Sequence, residues 1–247
     1  MRQTRNHFSD GRYLVIEIFT GLILGLLSAT LSESFGHRIF GHPNAHQLKL
    51  YFKYPRFFAP FLRAYYHHFV IHHENTFQQD VLTQFRNENE KHALDRWIAK
   101  EFPTDFANLI WREKYNLTLK GLQGILPFAI PFLTGPLFIA LIFGRVSFAA
   151  SLTVAFLPVL MSKYIHPFIH QPELLSLAPR PVQLIAKTRY MKWIFRNHYL
   201  HHLHVESNYN LLLGGDRILR VHREPTHREA EELARLWRKF EGAWQNT

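Results

Sequence analysis

Residues 13–31 form a run of nineteen residues with one charge, Glu17. At about 1.5 Å per residue, a helix of that length spans about 28 Å, close to the thickness of a hydrocarbon core. Gly21 and Gly25 give it a GxxxG face that lets a second helix approach closely. A cleaved signal peptide is the competing reading, because Arg2, Arg5 and Arg12 precede the run. The lack of a clean small-residue cleavage site and the charge of Glu17 inside the run argue against it. Residues 125–143 are also uncharged, and a second apolar run over 146–161 follows a short link containing Arg145. Together they predict a transmembrane hairpin with spans near 125–143 and 146–165. Pro127, Pro131, Pro136 and Pro158 bend it, which buried membrane helices tolerate. A core hairpin of a soluble helical protein is the blander alternative.

The mean hydropathy of −0.15 hides this segregation. Of 29 Lys and Arg, 24 lie in two polar blocks, 32–120 and 166–247, with 12 in each. A hairpin between the blocks returns the chain to one face, and the positive-inside rule makes that face cytosolic. A single first span then puts Arg2, Arg5 and Arg12 on the far side, so a re-entrant first run is the alternative. The expected fold is all-α, one membrane-embedded domain over 1–247 with a cytosolic helical cap. The membrane is a bacterial inner membrane or the endoplasmic reticulum. The formal charge of +10 suggests an anionic partner. No nucleic-acid motif is present, so nucleic acid is the weaker choice. The chain has no Cys, which excludes disulfides, thiolate zinc sites, iron–sulfur clusters and a Cys nucleophile.

Within the polar blocks, residues 48–66 mix Phe57, Phe58, Phe61, Tyr65 and Tyr66 with Lys53, Arg56 and Arg63, the pattern of an interfacial helix. Near the C-terminus, Thr226 and Glu229 predict a capping box. A helix follows, with Ala230, Leu233, Ala234, Trp237, Phe240 and Trp244 as its apolar stripe.

Most of the 17 histidines fall in four clusters. These are His37 with His42, then His68 with His72 and His73, then His166 with His170, and finally His198 with His201 and His202. Residues three or four apart share a helix face and can converge on one ion. His198, His201 and His202 meet that condition together, as do His68 and His72. His73 lies about 100° round from His72 on an α-helix and suits a second ion. His166 and His170 share a face that Pro167 disturbs. His37 and His42 are five apart, which places one of them at a helix end. Ten neutral imidazoles exceed what one ion takes and suit two ions with about five donors each. Imidazole binds zinc, iron, copper and nickel, so donor type does not name the metal. A histidine-rich metal store is the competing reading, but such tracts are dense and repetitive, whereas these clusters are discrete.

The clusters, written HX4H, HX3HH, HX3H and HX2HH, resemble the fatty acid hydroxylase superfamily of membrane oxygenases. The likeness is nearest to its fatty acid 2-hydroxylase and sterol C4-methyl oxidase branches and covers about residues 31–220. The stretch after the last cluster, with Asn208, Asn210, Asp216 and Arg217, is similar to the family's ending. Three features depart from the pattern. The gap between His170 and His198 is long and holds Pro172, Pro179 and Pro181, which suggests a lid-like loop. There are fewer spans than the usual four. His46, His67 and His204 are extra histidines, and His67 is an alternative donor to His68.

The resemblance implies a di-iron centre held by the ten clustered histidines. It implies dioxygen as cosubstrate and hydroxylation of an apolar or lipid-like substrate. Two electrons then come from a separate ferredoxin, cytochrome or reductase, for which the basic cytosolic face offers a docking surface. All-histidine ligation leaves the metal charge uncompensated, so carboxylates behind the rings are expected. Glu33, Glu74, Asp80, Glu206 and Asp216 are candidates, with Asn208 beside the last cluster. Surface or capping roles compete for each. A desaturase with the same chemistry is the nearest alternative, and the pair His166 and His170 favours hydroxylation over it. No HExxH motif supports a metallohydrolase. A non-catalytic metal-binding protein is the remaining alternative.

Overall fold

A computed structural model describes residues 7–73, 130–212 and 214–245, with isolated helical positions between 89 and 100. The described residues form helices and no strands. The first helix, α1 (His7–Gly36), has 30 residues and continues into a π-helical turn, His37–Gly41. Two short helices follow, α2 (Ala45–Lys53) and α3 (Ala59–Tyr65), then a π-helical segment, Tyr66–His73. After residue 130 come α4 (Thr134–Ala155), α5 (Leu157–Tyr164) and α6 (His166–His170). The C-terminal part holds α7 (Arg180–Ala186), α8 (Arg189–Leu203), α9 (Gly215–Ile218) and α10 (His227–Gln245).

Two stretches, Gly11–Gly41 and Pro131–His170, are long and apolar enough to cross a membrane. A core helix of a soluble protein passes the same test when its apolar side chains are buried. Here they face outward: Leu141 is 83% exposed, Ile142 70%, Tyr13 67% and Phe138 66%. The second stretch is not straight. Gly144 leaves the helical region with φ 83° and ψ −171°, a conformation that favours glycine. Packing against α1 shows the result. Gly135 faces Ser28, whereas Gly21 faces Ser147 and Gly25 faces Ser151. The chain therefore runs against α1 before Gly144 and along it afterwards. That reversal sits in the short link that the sequence predicts between its second and third runs. Residues 125–129 of the predicted second span lie outside the described residues.

At Gly21 and Gly25, α1 lies close against α4, and a Cβ at either would strike α4 backbone. Ser147 donates its hydroxyl to the Glu17 carbonyl at 2.8 Å across the same contact. The GxxxG face thus serves a contact within the chain.

Three regions differ from expectation. Residues 48–66 are not one helix, because α2 stops at Tyr54 before Pro55 and α3 restarts at Ala59. A proline disfavours the helical conformation in the residue before it. The segment between His170 and His198 is not a lid-like loop. It folds as a 3-10 turn (Pro172–Leu177), α7 and α8, and buries Leu175, Ala178, Val182 and Ala186 in the core. Its prolines sit at helix starts, where the missing N–H costs nothing.

The third difference is in the stripe of α10. Leu233, Leu236, Trp237 and Phe240 are buried, whereas Ala230 and Ala234 are exposed. The buried stripe packs on α8, where Phe195 meets the Phe240 ring at 4.9 Å and the Trp237 ring at 5.4 Å. The capping box forms as expected. Thr226 N–H donates to the Glu229 carboxylate at 2.7 Å, and Glu229 N–H donates to Thr226 Oγ1 at 3.4 Å. Those contacts, His204 and Arg223 hold the Glu229 carboxyl down at about 2.

Replacing Gly21 with Leu forces α1 from α4 backbone that cannot yield. We expect a loss of about 1–3 kcal/mol, read as a lower unfolding midpoint in detergent. An unchanged midpoint would contradict the α1–α4 contact.

Candidate metal centre

The ten clustered histidines come together from five segments: the two π-helical turns, Pro43's predecessor His42, α6 and α8. They divide into two groups. In the first, one ring nitrogen from each of His37, His42, His68, His73 and His201 lies within 4.8 Å of all the others. The same holds in the second group for His72, His166, His170 and His198. His202 borders the second group, with Nε2 at 3.0 Å from His72 Nε2 and 3.1 Å from His198 Nε2. Its ring also stacks on His73 at 4.2 Å, so the two groups adjoin.

Local backbone geometry explains which histidines meet. The turn His37–Gly41 closes with a bond from His42 N–H to the His37 carbonyl at 3.2 Å, five residues back. A π-helical turn brings residues five apart together. His37 and His42 thus enter one group although their spacing does not fit an α-helix. The segment Tyr66–His73 does the same for His68 and His73, whose Nε2 atoms are 3.0 Å apart. His72 is carried to the other group. The α-helical expectation that His68 pairs with His72 is therefore replaced by a π-helical pairing. On α8, His198 and His202 keep the expected four-residue pairing, while His201 turns to the first group. In α6, Pro167 occupies an early helix position and leaves His166 and His170 with Nε2 atoms 3.2 Å apart.

The nitrogen separations are informative. With metal–imidazole bonds of about 2.1 Å, neighbouring donors around an ion lie about 3.0 Å apart and opposite ones about 4.2 Å. In the first group, His68 Nε2 is 2.6 Å from His37 Nε2, 3.1 Å from His42 Nε2 and 3.0 Å from His73 Nε2. In the second, His198 Nε2 is 3.0 Å from His166 Nε2 and 2.9 Å from His170 Nε2. Hydrogen bonding cannot account for this, because a neutral imidazole has one N–H and one lone pair. His68 Nε2 faces three nitrogens at once.

Two tautomers are set by the backbone. His37 Nδ1 lies 2.5 Å from the Tyr209 carbonyl, and His201 Nδ1 lies 2.7 Å from the Ser207 carbonyl. A carbonyl only accepts, so both Nδ1 atoms carry hydrogen and both Nε2 atoms present lone pairs to the group. The donor set, its spacing and its burial fit metal ions.

The candidates behind the rings are placed as follows. Asp216 accepts from Asn210 N–H at 2.8 Å, and burial pushes its carboxyl up. Asn208 donates to the Arg223 carbonyl and accepts from Arg223 N–H, and it holds φ 55°. Glu33 accepts from Leu211 and Leu212 N–H, each at 2.9 Å. Glu206 is exposed. Glu74 and Asp80 lie outside the described residues, as does the side chain of His67. His46 is exposed, and His204 pairs with Glu229 at 2.6 Å. Sequence reasoning missed Tyr209. Its ring lies 5.6 Å from that of His37, 5.8 Å from His42 and 5.3 Å from His201, so it walls the first group. No residue-type signal marks a carbonyl that orients a histidine.

Seven rings lie outside the membrane-length stretches: His42, His68, His72, His73, His198, His201 and His202. Burial, then repulsion from neighbouring rings, pushes their pKa values below the ordinary 6.5. In the unfolded chain the value returns to about 6.5. Below that pH the unfolded chain binds more protons, so stability is lost as pH falls. In chelator, the unfolding midpoint should decline from pH 7 to pH 5 and change little in the histidine contribution above pH 7.5. A midpoint that rises on acidification would contradict neutral, buried rings.

No family model, curated protein or solved structure matches this chain.

Proposed function

We propose that the chain is an integral-membrane oxygenase that holds two iron ions and hydroxylates an apolar, lipid-like substrate. One observation carries the reading: nine imidazole nitrogens meet in two groups, with His202 adjoining them, and both membrane-length apolar stretches end at these groups. His37 continues directly from α1, and His166 and His170 end the second stretch. In this reading the centre sits at a membrane face and the apolar substrate reaches it from the bilayer. The basic polar blocks make the cytosolic face the natural side and an acidic redox protein the natural electron donor.

When bound, the two ions supply dioxygen activation, as the resemblance to the fatty acid hydroxylase superfamily implies. The chain's own residues hold the donor atoms in place. The carbonyls of Tyr209 and Ser207 keep the protons of His37 and His201 on Nδ1. The Tyr209 and Phe69 rings cover the first group, with Phe69 at 5.5 Å from the His42 ring. Burial of His72, His170, His198 and His201 limits water around the donors. Burial also keeps the His72, His198 and His201 rings neutral, which leaves their lone pairs open to metal.

The test uses the full chain in detergent, loaded anaerobically with ferrous iron and then given oxygen, a reducing system and a lipid extract. We expect two irons per chain, substrate-dependent oxygen uptake and a product heavier by one oxygen atom. His198→Ala and His201→Ala, one from each group, should each lower uptake by more than about a hundredfold, beyond the loss typical for residues behind the ligands. Two bound irons without oxygen uptake would make the chain a metal-binding protein instead. A product that gains a double bond would make it a desaturase.

A further inference from the structure

The loop after the last cluster is gripped from two sides, and each grip lies one helical turn before a histidine that the loop orients. On α1, the Glu33 carboxylate takes Leu211 and Leu212 N–H, and His37 follows four residues later. On α8, Asn197 donates through Nδ2 to the Asn210 carbonyl at 2.8 Å and the Asn208 carbonyl at 3.4 Å, and His201 follows four residues later. The loop answers with the Tyr209 carbonyl on His37 and the Ser207 carbonyl on His201.

A hub completes the brace. Asn210 donates to the Thr30 carbonyl at 2.7 Å and to Ser34 Oγ at 2.9 Å, and Thr30 donates back to Asn210 Oδ1 at 3.0 Å. Gly215 N–H reaches Thr30 Oγ1 at 3.0 Å. Glu33, Asn197 and Asn210 are all at least nine-tenths buried. Burying so many polar groups is costly unless each is paired, and the pairs join parts of the chain about 180 residues apart. In the second group, His166 and His198 meet other histidines instead, with His198 Nε2 at 3.0 Å from His166 Nε2 and 3.1 Å from His202 Nε2.

We propose that Glu33 and Asn197 are positioning residues for the first histidine group alone. Each fixes a loop carbonyl that sets the tautomer and direction of a ring in that group. The inference rests on reading the group as a metal site.

The test compares the full-length protein with Glu33→Gln and Asn197→Leu. The first leaves one of two loop N–H groups without its acceptor, and the second removes the amide donor at similar size. Cobalt(II) is titrated into the metal-free protein and followed by visible absorption and by stoichiometry. We expect two ions in the parent, with one weakened about ten- to a hundredfold in each variant and the other retained. Val182→Ala, a buried apolar position on α7 whose side chain makes no hydrogen bond to the loop, serves as a control for general destabilisation and should keep both ions. Loss of both ions together, loss of neither, or the same selective loss in Val182→Ala would overturn the proposal.

A second readout needs no metal. Ring nitrogen-15 resonances of His37 and His201 should report hydrogen on Nδ1 in the parent and a mixture of tautomers in the variants. Hydrogen on Nε2 in the parent, or tautomers unmoved in both variants, would overturn it. Because this readout involves neither iron nor oxygen, its failure is separate from failure of the oxygenase reading.

Discussion

Imidazole lone pairs resist being crowded together without something to receive them. In the first group, His68 Nε2 faces three other Nε2 atoms at 2.6–3.1 Å and His42 Nε2 faces that of His201 at 3.0 Å, and no set of tautomers turns all those contacts into hydrogen bonds. Protonating the rings would replace a crowding of lone pairs with a crowding of charge in a buried space. The local backbone carries the rings inward, and the carbonyls of Tyr209 and Ser207 orient two of them, His37 and His201. Holding the rings there explains the π-helical turns, the buried polar brace and the short helix α6, each of which spends conformational freedom to aim nitrogens inward.

The chain's organisation follows from the same need. Donors come from residues 37–73 and from residues 166–202, so the two ends of the sequence must be locked together. Apolar packing supplies part of the lock. Gly21 and Gly25 let α1 lie against α4, and the stripe of α10 covers α8. The rest is polar and directional, through Glu33, Thr30, Ser34, Asn197 and Asn210. Close packing holds α1 against α4, and apolar contacts hold α10 against α8. Hydrogen bonds set the register to which a donor atom responds.

Some of this was legible in the sequence, and the reasons are local. Gly144 and Arg145 mark the reversal because uncharged runs flank them, and Thr226 with Glu229 marks a helix start because capping is a short-range contact. The histidines that meet, nine in the two groups and His202 beside them, are those that their spacing singles out. Their pairing was not legible. It depends on the π-helical turns at His37–Gly41 and Tyr66–His73, which no residue type announces and which exchange a four-residue pairing for a five-residue one. The Pro-rich stretch after His170 reads as a loop because prolines punctuate it, yet they sit where helices begin. The orienting carbonyls of Ser207 and Tyr209 were invisible for a different reason, since every residue carries one.

The central claim is that the two histidine groups are two metal sites with nitrogen donors. X-ray absorption at the iron edge of the loaded full-length protein, with iron counted per chain, tests it most directly. Two irons per chain are expected, with a first shell dominated by imidazole nitrogen at about 2.1–2.2 Å and its outer-ring scattering. One iron or none per chain, or a shell dominated by oxygen without imidazole scattering, would contradict it.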